Sequence, residues 1–115
     1  MKKDLNISIL MDFYGQLLTD KQYQSLDLYY NSDLSLGEIA EDLSISRQGV
    51  RDFIKRGEQH LFEFEEKLSL VKRFDDITKS IEEIKEIVNS LKVSEEDKEK
   101  ITEIKKIADR VSDEL

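Results

Sequence analysis

Apolar residues recur along this chain at steps of three and four. No six-residue window sustains the alternation of a strand, so the pattern predicts helix throughout. Residues 5–18 carry Ile7, Leu10, Phe13, Tyr14 and Leu17 at helical spacing. Thr19 and Asp20 offer side-chain oxygens to free backbone N–H groups and predict the start of a second helix. That helix carries Tyr23, Leu26, Leu28, Tyr29 and Tyr30 and stops near Asn31. Ser35, with Glu38 three residues later, has the spacing of a capping box. The prediction there is a short helix through Asp42, a turn at 43–45, and a further helix capped by Ser46 and starting at Arg47.

Farther along, the apolar positions settle into a heptad. Leu70, Phe74, Ile77, Ile81, Ile84, Val88 and Leu91 alternate steps of four and three. A break follows at 91–94, where Ser94 with Asp97 has the look of a cap. A second run is Ile101, Ile104, Ala108, Val111 and Leu115. Two such seams joined by a tight polar turn suggest an antiparallel helical hairpin. The same seams could instead pair between two chains. A helix with one apolar stripe does not stay alone in water, so one of the two pairings is required. The expected fold is all-α. Residues 1–69 form a helical domain with a helix-turn-helix at 36–57, and residues 70–115 form the hairpin, which can serve in dimerisation.

A chain of 115 residues makes one domain of ordinary size, or one small domain with an appendage. Its 18 basic and 26 acidic residues give a net charge of -8. That balance disfavours coating nucleic acid or membrane by bulk charge, so any DNA contact needs a local basic patch. Residues 1–57 carry a net -2 and residues 58–115 a net -6. The absence of cysteine excludes disulfides, thiolate metal sites and cysteine nucleophiles. His60 is the single histidine, which excludes a multi-histidine metal site. Charges interrupt every apolar stretch well short of the ~20 residues needed to span a bilayer. Met1-Lys2-Lys3 is basic, but Asp4 and Asp12 interrupt the short apolar segment that follows, with no small-residue cleavage pattern. These features predict a soluble cytoplasmic protein without membrane partners.

The informative segment is LGEIAEDLSISRQGVRDFIKR at 36–56. Its apolar and small positions match a helix-turn-helix. Ile39 lies on the inner face of the first helix, and Ala40 is small where the helices cross. Leu43 and Ile45 flank the turn, and Val50 and Phe53 lie on the inner face of the second helix. Ser44 occupies a turn position often held by glycine, and a serine adopts a left-handed conformation there only at some cost. Residues 47–57 hold Arg47, Arg51, Lys55 and Arg56 against the single acid Asp52. Arginine can reach guanine O6 and N7 with two hydrogen bonds, and glutamine can do the same at adenine N6 and N7. Arg47, Gln48 and Arg51 are therefore the candidate base contacts. Ser46, Lys55 and Arg56 are the candidate phosphate contacts, aided by backbone N–H groups at the helix start. Gly49, costly inside a helix, indicates close packing or close backbone approach. Three-helix units of this pattern also serve as protein-binding modules, and the acidic total charge opposes non-specific DNA affinity. DNA, RNA and protein partners thus remain open at this point.

Catalysis has no support. A nucleophile needs a base and an orienting group, and His60 with nearby Ser69 and Glu63 carries no such signature. The clusters Glu65-Glu66, Glu82-Glu83 and Glu95-Glu96-Asp97 lack calcium-loop spacing, and the glycines at 15, 37, 49 and 57 form no phosphate loop. No metal site, cofactor or enzymatic activity is expected.

The runs LLTDKQ at 17–22 and LDLYYNSDLSLGEIAEDLSISRQGVRDFIKRGEQHL at 26–61 resemble the YlxM family of bacterial helix-turn-helix proteins. The resemblance is specific in LYY, SLGEIAE and ISRQGV and covers roughly residues 5–75 well. The same segment is similar to region 4 of bacterial sigma factors, which implies major-groove recognition by the helix beginning at Ser46. The family resemblance implies a link to the signal recognition particle pathway. The chain has no room for the polymerase-binding and DNA-melting domains of a complete sigma factor. The expected function is a DNA-binding transcriptional regulator on double-stranded DNA, acting as a homodimer with recognition helices about 34 Å apart. The alternative is a protein-interaction factor that binds a signal recognition particle component, with the helix-turn-helix as scaffold.

Overall fold

The computed structural model describes residues 3–115, so Met1 and Lys2 of the basic start lie outside the described residues. Those residues form six α-helices and one 3-10 turn, with no strand. The helices are α1 (Ile7–Tyr14), α2 (Asp20–Tyr30), α3 (Leu36–Leu43), α4 (Arg47–Leu68), α5 (Leu70–Ser90) and α6 (Lys98–Glu114). The chain divides into two compact units, Met1–Val71 and Lys72–Leu115.

In the first unit, local chemistry starts α2, α3 and α4 where the sequence predicts. The Thr19 hydroxyl accepts the Gln22 N–H while the Gln22 side chain accepts the Thr19 N–H. Ser35 and Glu38 make the same reciprocal pair ahead of α3. Helix α4 packs on α1, α2 and α3. Its buried column is Val50, Ile54, Gly57 and Leu61, which meets Ile7, Leu10, Tyr14, Leu26 and Ile39 in one core. Gly57 admits α2 closely, because a Cβ there would lie 2.6 Å from Leu26 Cδ1.

Two expectations need correction in this unit. Leu17 is 59% exposed, and Leu18 is buried in its place. Helix α1 ends at Tyr14 and tightens into a 3-10 turn at Gly15–Leu17, which changes the angular step per residue and rotates Leu17 out of register. Phe53 is only partly buried, and Ile54 is the fully buried residue of that turn.

Helix α4 runs well past Gly57 and ends at Ser69, which is left-handed (φ 53). A buried phenol fixes that break. The Tyr14 O–H donates to Glu65 Oε1 at 2.5 Å and accepts the Leu70 N–H at 3.0 Å, while Glu65 Oε1 also accepts the Val71 N–H at 3.1 Å. Burial, then the bond to Glu65, pushes the Tyr14 phenol above its ordinary value. The phenol therefore stays neutral and remains a donor.

In the second unit the predicted stripe of α5 separates into two columns. Phe74 and Ile81 are partly buried and Val88 is buried, whereas Ile77, Ile84 and Leu91 are exposed. On α6, Ala108 is buried while Ile104 and Ile107 are exposed. An ion pair from Lys85 Nζ to Asp109 Oδ1 at 2.7 Å joins the two helices within one chain. The residue preceding α6 is Asp97, not Ser94. The Ser94 hydroxyl donates to Asp97 Oδ2, and its carbonyl accepts the Asp97 N–H, which makes a turn ahead of the helix.

Tyr14→Phe should lower stability by about 1–3 kcal/mol, because the Leu70 N–H loses its acceptor and Glu65 a donor. The urea midpoint checks this. The sign with pH follows from the raised phenol. Its contribution is full below pH about 10 and is lost as pH rises through the folded value, so the variant should lose part of the alkaline decline of the parent.

Candidate nucleic-acid interface

The turn between α3 and α4 is built by two serines. Ser44 adopts the left-handed conformation (φ 56, ψ 44), and its N–H bonds back to the end of α3. Ser46 is extended, and its hydroxyl accepts the Gly49 N–H at 3.0 Å. Ile45 is partly buried between them. A Cβ on Gly49 would lie 3.2 Å from the Ser46 hydroxyl. Glycine at 49 therefore protects the cap of its own helix, and α3 is not the neighbour that excludes a side chain.

All six candidate contact residues, Ser46, Arg47, Gln48, Arg51, Lys55 and Arg56, are exposed on the first turns of α4. Residues four apart stay close to one line on a helix, so Arg47, Arg51 and Lys55 form a single ridge. Gln48 and Asp52 form the next column, about 100° round from Arg47 and Arg51. Arg56, about 100° beyond Lys55 and four residues after Asp52, continues that second column. The ridge therefore gathers three of the four cations, and Arg56 flanks it at the end of the Gln48–Asp52 column.

These four cations are the only lysines and arginines between Lys21 and Lys67. Among the described residues none of the four takes part in an ion pair. Glu58, three residues past Lys55, accepts the Tyr30 O–H at 2.6 Å and so points toward α2.

Two contacts of the site were not read from the sequence. Asp52 accepts the Gln48 side-chain N–H at 3.0 Å and holds that amide along the helix. The i,i+4 spacing was the available signal. Gly37 of α3 lies under Arg47, with the guanidinium within 2.9–3.3 Å of where a Cβ would stand. No sequence period marks that contact.

Elsewhere the first unit has an apolar cleft of about 280 Å³ lined by Asn6, Ile9, Leu10, Phe62, Glu65 and Val71. It contains no nucleophile. His60 is half-exposed, with Nδ1 3.7 Å from Glu63 Oε2 and its ring stacked near Phe64. Among the described residues no three His, Cys, Asp or Glu side chains group to hold a metal ion. Nor is any described helix long and apolar enough to cross a membrane.

Ser46→Ala should cost about 1 kcal/mol through loss of the α4 cap, read from the midpoint of chemical unfolding.

Residues 1–107 match the model of the family described as "UPF0122: Putative helix-turn-helix protein, YlxM / p13 like". A UPF0122 protein of Thermoanaerobacter sp. (strain X514) is 47% identical over 109 residues, covering 95% of this chain and 93% of the relative. One from Acetivibrio thermocellus is 46% identical over 113 residues, covering 98% and 97%. One from Halalkalibacterium halodurans is 48% identical over 96 residues, covering 84% and 88%. The capped helices, the serine-built turn and the basic ridge thus lie within a chain that belongs to the UPF0122 (YlxM-like) family.

Proposed function

We propose that this protein is a DNA-binding transcriptional regulator in which α3, the turn at 44–46 and the start of α4 act as a helix-turn-helix resembling sigma-factor region 4. One observation carries the reading. The cations between Lys21 and Lys67 are all gathered on the first turns of one exposed helix, and no ion pair among the described residues neutralises them. An acidic protein gains nothing from such a cluster unless an anion meets it. In this reading Gln48 and Arg51 reach base edges, and Ser46, Lys55 and Arg56 contact phosphates. Arg47, at the start of the ridge, contacts the duplex beside them.

Selection from a random-sequence duplex pool tests this. The wild-type chain should enrich a defined site, and Arg51→Ala should cost about 1–3 kcal/mol there and relax one base position. Unchanged binding by Arg51→Ala contradicts the assignment.

The second part of the proposal is pairing of two copies through α5 and α6. Ile77, Ile84, Leu91, Ile104 and Ile107 are exposed beside columns already covered within the chain. A second copy carries the same surface, so a two-fold axis matches it to itself and closes the assembly. Apolar patches above a few hundred Å² are rare on monomers. Ile84→Glu should convert a dimer to a monomer in sedimentation equilibrium, and a wild-type chain that is monomeric at every concentration contradicts the pairing.

One observation favours a second reading, an interaction factor of the signal recognition particle pathway. The acidic excess of residues 58–115 includes the exposed Glu82, Glu83 and Glu86 on α5. Under that reading, charge reversal at those three sites abolishes partner binding and Arg51→Ala leaves it intact.

A further inference from the structure

Gly37 sits in the first turn of α3, and glycine is a poorer helix former than alanine. Its backbone does not require glycine, since no glycine among the described residues has a positive φ. Space supplies the reason. A Cβ at Gly37 would lie 2.9 Å from one terminal nitrogen of Arg47, 3.1 Å from its Nε and 3.3 Å from its Cζ. Three atoms of one guanidinium so close to one point mean that the group rests on the bare backbone of α3. Among the described residues no ion pair engages it there. On the helical wheel of α4, Arg47 falls beside the buried column of Val50 and Ile54, about 100° from Gln48. The seat thus directs the guanidinium along the junction of α3 and α4, away from the outward face that carries Gln48 and Asp52.

We infer that Gly37 is a positioning residue for Arg47, and that Arg47, held at the α3–α4 junction, contacts a phosphodiester of the duplex and not a base edge. The inference rests on the helix-turn-helix reading above. In that geometry the first helix crosses the sugar-phosphate backbone while the outward face of the second enters the groove. An arginine laid on the first helix therefore meets phosphate. A planar guanidinium suits that role, since it can present two N–H groups to one phosphate. Alanine at 37 displaces only the far end of a flexible side chain and replaces a helix-disfavouring residue. The variant should therefore fold while losing the seat.

The experiment uses the full chain and three variants, Gly37→Ala, Arg47→Ala and Arg51→Ala. Each is assayed on the duplex that the wild type selects from a random pool and on a scrambled duplex of equal length, from 50 to 200 mM salt. Thermal melting confirms that each variant is folded. The expected result is that Gly37→Ala and Arg47→Ala weaken binding to both duplexes by the same factor. Their salt slopes should fall by about 0.9, so that their deficit shrinks about 3.5-fold across the salt range. Their base preferences should stay unchanged, whereas Arg51→Ala loses preference at one position. In NMR of the free protein, the Arg47 Nε–H resonance should shift in Gly37→Ala. Loss of preference at a base position in Arg47→Ala overturns the phosphate assignment. Binding by Gly37→Ala equal to wild type overturns the positioning role. Both results leave the DNA reading standing. A wild-type chain that binds neither duplex fails earlier and takes the DNA reading and this inference down together.

Discussion

The close approach of α2 to α4 at Gly57 is the contact on which the first unit depends. A side chain at that position would collide with Leu26, which is fully buried. Glycine inside a long helix costs about 1 kcal/mol. Full burial of a leucine or isoleucine stabilises by about 1.5–3 kcal/mol, and the fully buried Leu26, Ile54 and Leu61 share this core. The exchange therefore favours glycine. Because Val50, Ile54, Gly57 and Leu61 share one face, a single helix serves α1, α2 and α3 together.

That arrangement has an electrostatic consequence. A helix committed to the core on one side must present its remaining sides to solvent, and the sequence places its cations there. Asp52 is turned to Gln48 and Glu58 to Tyr30, so the acids closest along the helix are occupied by neutral donors. The ridge keeps its positive charge within a chain of net charge -8. A local cation cluster in an acidic chain favours selective over indiscriminate binding, since general attraction to polyanions is cancelled by the rest of the molecule.

What could be read from the sequence was short-range. The caps at Thr19, Ser35 and Ser46 each rest on a partner three residues away, and all three lie where the pattern indicated. The left-handed Ser44 was foreseeable from the turn it had to make. The remaining features rest on long-range contacts or on backbone geometry that no short-range pattern carries. At Ser69, Tyr14 and Glu65, 51 residues apart in sequence, jointly hold the chain that follows the helix break. Leu17 leaves the core because the backbone tightens after Tyr14, which a fixed helical period cannot anticipate. Of the candidate site, the identity of the basic residues was legible, because composition alone isolates them. The seat of Arg47 on Gly37 was not, because it joins two helices across a turn. The heptad was legible as a stripe, but its division into a covered and an uncovered column depends on how α5 and α6 meet.

The most direct test of the central claim is a backbone and arginine side-chain NMR titration of the isotopically labelled chain with a short random-sequence DNA duplex. The account predicts perturbations centred on Ser46, Arg47, Gln48, Arg51 and Lys55, weakening as salt is raised. Perturbations centred instead on the acidic helices α5 and α6, or none at all at low salt, would contradict it.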